Sequence, residues 1–85
     1  MPTVAWADIM EKERAEKSVG KLRAKLEEMG KAGLETKYPK VVKLAREYLQ
    51  DAEHFFGKGD YFSSFGASDY AYGLLDALLI IEGKK

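Results

Sequence analysis

The stretch Asp60-Tyr-Phe-Ser-Ser-Phe-Gly-Ala-Ser-Asp69-Tyr-Ala-Tyr-Gly-Leu-Leu-Asp76-Ala-Leu-Leu-Ile-Ile-Glu82 decides the fold. It runs for six turns of helix with no proline, and Asp60 stands where a helix N-cap belongs. Its interior charges are Asp69 and Asp76 alone, and no Lys or Arg appears before Lys84. At about 100° per residue it divides into three stripes. Ala67, Ala71, Leu74, Leu78 and Ile81 form one, assigned to the core. Tyr61, Phe65, Ser68, Tyr72, Leu75 and Leu79 form the next. Phe62, Gly66, Asp69, Gly73, Asp76 and Ile80 form a thin third stripe. A helix this apolar must be covered on most sides.

Working backwards, two further helices supply the cover. Val41, Val42, Ala45, Tyr48, Leu49, Ala52, Phe55 and Phe56 make a broad apolar face after Pro39. Lys43, Arg46, Glu47, Gln50, Glu53 and His54 fall on the opposite side, as in an amphipathic surface helix. Proline suits a first helical turn, where its missing N–H is not needed. Gly57-Lys58-Gly59-Asp60 then reads as a tight turn. Further back, Ala15, Val19, Leu22, Leu26 and Met29 recur at four-three spacing. Gly30 and Gly33 bracket the end of that helix, and Thr3 or Asp8 caps its start. Trp6, Ile9 and Met10 lie off its stripe. The expectation is all-α: one domain, residues 1–85, folded as an antiparallel up-down-up three-helix bundle. The helices are placed at about 4–30, 39–57 and 61–82.

Composition narrows the functional classes. The chain has 85 residues and no cysteine, so neither a disulfide nor a thiolate zinc site can staple it. Fourteen basic residues balance 14 acidic ones. That balance argues against strong nonspecific nucleic-acid binding, which needs a basic surplus. Residues 1–50 carry 11 Lys/Arg against 8 Asp/Glu, and residues 51–85 carry 3 against 6. This mild asymmetry favours self-docking. Nothing at the N-terminus reads as a signal peptide, so the expected location is the cytoplasm. Asparagine is absent and Gln50 is the single glutamine, a composition that leans thermophilic. Asp69 and Asp76 make a membrane span by the last helix too costly.

The chemistry-bearing residues are few. His54 is the single histidine, and Asp51-x-x-His54 is a carboxylate–histidine pair of the kind di-iron bundles use twice. Asp51, His54 and Asp76 are the residues a small metal- or ligand-dependent enzyme would use. Asp69 and Asp76 are two turns apart, about 10 Å along the axis, too far to share a proton. Lys17, Lys21, Arg23, Lys25, Lys37, Lys40, Lys43 and Arg46 offer a basic strip for an RNA-binding accessory, but acids interleave with them. No catalytic, metal or cofactor residue is assigned. The favoured reading is a non-enzymatic interaction or scaffold module. It would self-associate, as a homodimer or higher oligomer, through Tyr61, Phe65, Tyr72, Leu75 and Leu79. The alternative is that the first two helices bury that stripe within one chain.

Tyr48-Leu49-x-Asp51-Ala52-x-x-Phe55-x-x-x-Gly59-Asp60-Tyr61, followed by Phe65-x-Ala67-x-x-Tyr70-Ala71-x-Gly73-x-Leu75-Asp76-Ala77, resembles an archaeal family of small proteins, domain of unknown function 357. The resemblance covers the second and third helices. It implies a three-helix bundle and an archaeal source, and carries over no activity, cofactor or catalytic residue. It singles out Asp51, Asp60, Tyr70, Gly73 and Asp76.

Overall fold

The computed structural model describes residues 4–85, with side-chain detail from residue 9 onward. Four helices are present among them and no strand: α1 (Val4–Lys31), α2 (Leu34–Lys37), α3 (Pro39–Gly57) and α4 (Tyr61–Ile81). The chain is all-α. Three long helices match the expected segments to within one residue at each end. The fourth, α2, was not expected. It is a single turn inserted between Gly33 and Tyr38, and it drives Leu34 into the core at 3% exposure.

The ends of the helices follow local chemistry. Gly33 takes a left-handed conformation, φ 75°, which lets the chain leave α1 and start α2 at once. Pro39 opens α3 in its first turn. Gly59 is left-handed at φ 81°, with its N–H donating to Phe56 O at 3.0 Å and the Asp60 N–H to Phe55 O at 2.9 Å. Those bonds satisfy carbonyls that the end of α3 leaves open. Asp60 then caps α4, accepting from the Ser63 N–H at 3.2 Å. Asp8 lies inside α1 rather than at its start, and a cap by Thr3 lies outside the described residues.

Side-chain pairs set the helix directions. Arg14 meets Phe65, Ser18 meets Ser68 and Lys25 meets Asp76, so α1 and α4 run the same way. Ser64 meets Ala52, Tyr70 meets Tyr48 and Glu82 meets Lys37, so the chain from α2 through α3 runs against α4. The core joins Leu22, Leu26 and Met29 of α1, Leu34 of α2, Val42 and Ala45 of α3, and Ala71, Leu75, Leu78 and Leu79 of α4. Tyr38, Val41, Tyr48 and Leu49 close over its edge. The stripe read on α1 is buried at all five positions.

Helix α4 is rotated from the expected setting. Its buried positions are Ser64, Ser68, Ala71, Leu75, Leu78 and Leu79, a line midway between the two stripes read from sequence. Ile81, expected in the core, is 69% exposed, and Ala67 and Leu74 are half-buried. Of the expected self-association stripe, two members are buried, and Tyr61, Phe65 and Tyr72 are half-buried. Leu75 is fully buried and Leu79 is 3% exposed. Tyr61 packs edge-on against Phe56 at 5.2 Å. Phe65 lies under Arg14, and Tyr72 lies 4.8 Å from both Lys21 and Lys25. Every member of that stripe therefore has a partner within its own chain.

Two serines occupy the centre of the buried line. Ser64 Oγ donates to Ala52 O of α3 at 2.7 Å, and Ser68 Oγ donates to Ser64 O at 2.8 Å. The hydroxyls of Ser68 and Ser18 are bonded at 2.7 Å. Small side chains let three helices come close, and each buried hydroxyl finds a partner, so its desolvation cost is offset.

Candidate functional site

The outward face of α4 is the most unusual surface of the chain. Phe62 is 78% exposed, Ile80 60% and Ile81 69%. Gly66, Asp69, Gly73 and Ala77 lie exposed between them. Tyr70, 54% exposed, stands at the edge nearest α3, packed edge-on against Tyr48 with centroids 5.1 Å apart. Asp69 is the one charge on this face between Phe62 and Ile81. By contrast, the exposed side of α3 carries Lys43, Arg46, Glu47, Glu53 and His54.

Nothing inside the chain asks for glycine on this face. A Cβ built on Gly66 or Gly73 meets no atom within 4 Å, and neither residue has positive φ. Glycine inside a helix costs about 0.5–1 kcal/mol relative to alanine. Gly20 of α1 is equally unfilled, but its exposed neighbours Glu16, Lys17 and Arg23 are charged. On α4 the two glycines are separated by exposed Asp69 and Tyr70.

The edge of this face toward α1 is a charged cluster. Asp76 is bonded by Lys85, and Lys25 lies 3.6 Å from its Oδ1, which is buried and accepts no hydrogen bond. The Lys85 hydrogen bond, then the two ammonium charges, hold the Asp76 carboxyl below the usual carboxylate range against the opposing effect of burial. Lys85 is raised in return. At the C-terminal end of α4, Glu82 accepts from Lys37 and from the Tyr38 hydroxyl. Those bonds, Lys37 first, lower Glu82; the shared bond raises both Lys37 and Tyr38. Here α2 is tied to α4.

The residues weighed as an enzymatic set do not assemble. Asp51 and His54 are exposed on the outer side of α3, while Asp76 faces lysines between α4 and α1. Among the described residues, no three of His, Cys, Asp or Glu come together as a metal site requires. An open groove of about 310 Å³ lies between α1 and α3, lined by Glu16, Val19, Arg23, Glu53, Phe56 and Gly57. The Arg23–Glu53 ion pair bridges it, and neither Asp51, His54 nor Asp76 lines it. Among the described residues no helix is long and apolar enough to cross a membrane.

A family model described as protein of unknown function (DUF357) matches residues 10–83. The chain belongs to the DUF357 family. No curated protein and no solved structure matches it. The match extends the resemblance of α3 and α4 to most of α1. Three of the five positions picked out by the DUF357 resemblance now have structural work. Asp60 caps α4, Tyr70 packs on Tyr48, and Asp76 anchors the lysine cluster. Nothing within the chain explains Asp51 or Gly73. Sequence reasoning missed Ser18, Ser64 and Ser68. Their signal was the 64, 68, 71, 75, 78 spacing, hidden because hydroxyl side chains count as polar.

Proposed function

We propose that this DUF357 protein is a cytoplasmic, non-enzymatic interaction module, an up-down-up bundle that self-associates through its C-terminal helix. The contact surface is the outward face of α4, moved round the helix from the stripe that sequence alone favoured. The observation that carries this reading is the placement of Phe62, Ile80 and Ile81 on one face at 60–78% exposure, with Asp69 as its single charge. Contiguous exposed apolar patches larger than a few hundred Å² mark interaction sites. The separation of Asp51, His54 and Asp76 favours this reading over the enzymatic one.

Sedimentation equilibrium on wild type and on Ile80→Lys tests it. The wild type is expected to associate as concentration rises, and the variant to remain monomeric with an unchanged melting temperature. A wild type that stays monomeric to millimolar concentration contradicts the proposal.

A further inference from the structure

We draw no further inference here: the strongest candidate, the open groove between α1 and α3 over Val19 and Phe56, is spanned by the chain's own Arg23–Glu53 ion pair, and nothing in the structure shows what else would occupy it.

Discussion

Helices α3 and α4 pack against each other along their length, yet they solve the solvent problem in opposite ways. Helix α3 buries Val42, Ala45 and Ala52 and turns Lys43, Arg46, Glu47, Gln50, Glu53 and His54 outward. Helix α4 buries Leu75, Leu78 and Leu79 and turns Phe62, Ile80 and Ile81 outward. The outer side of α3 is satisfied by water and by ion pairs such as Arg23–Glu53 and Arg46–Glu35. The outer side of α4 gains little from water. The contrast shows that apolarity on α4 has two separate causes, an inner line that holds the fold and an outer line that the fold does not use.

The sharpest way to break that division is to substitute one residue from each line. Leu75→Ala removes a fully buried side chain and should cost about 2–5 kcal/mol in denaturant unfolding. Ile80→Ala, on the exposed line, should change stability by less than about 0.5 kcal/mol. Equal costs at the two positions would erase the distinction.

The serine seam gives the next largest effect. Ser68→Ala leaves the Ser18 hydroxyl buried without its partner, 2.7 Å away in the wild type, and should cost about 1–3 kcal/mol. The double variant Ser18→Ala, Ser68→Ala should cost less than the two single losses added together, because no orphaned hydroxyl remains. Simple additivity in a thermodynamic cycle would show that the seam contributes no coupling.

The charged groups at the ends and edge of α4 make stability depend on pH. Asp60, Asp76 and Glu82 all have lowered pKa values in the folded chain. For Asp60 the causes are the Ser63 hydroxyl and backbone N–H, which favour its ionised form. A depressed carboxyl stabilises the fold above its unfolded value, and the contribution is lost as pH falls through the folded one. Stability should therefore be level through neutral pH and decline in the acid carboxylate range. The raised values of Lys37, Lys85 and Tyr38 act at the other limit, stabilising below their unfolded values and fading at strongly alkaline pH. Urea midpoints across pH follow both arms. Asp76→Asn should flatten part of the acid arm.

The smallest expected effect belongs to the outer line. Self-association through this face brings the two Asp69 carboxylates toward each other across the contact. Like charges brought near each other in water oppose association by roughly a factor of two. Asp69→Asn should therefore tighten the dimer about twofold, with the gain shrinking in high salt. Weaker association on removing the charge would place Asp69 elsewhere.

How legible each helix was follows from its contrast. Helices α1 and α3 alternate charged and apolar residues, so the buried stripe of α1 and both faces of α3 were readable from spacing. On α4 the contrast is missing. Tyr72 and Leu74 are apolar on both sides of the true core line, and the line itself begins with Ser64 and Ser68, which a hydrophobicity rule discards. The two stripes read from spacing, one for the core and one, Tyr61, Phe65, Tyr72, Leu75 and Leu79, for self-association, therefore straddle the buried line, each set off from it by less than a fifth of a turn. Helix α2 was hidden by size: Leu34 is one apolar residue between Gly33 and Tyr38, too short a run to show a period. Asp60 as a cap, by contrast, depended on local sequence alone and was fully visible.

A dilution series of ¹H–¹⁵N NMR spectra tests the central claim most directly, because it reports which face of α4 a second chain touches. Amide shifts at Phe62, Gly66, Asp69, Tyr70, Gly73, Ala77 and Ile80 should move together with concentration, while those of the outer side of α3 stay fixed. Concentration-dependent shifts centred on α1 and α3, with Gly66 and Gly73 unchanged, would contradict it.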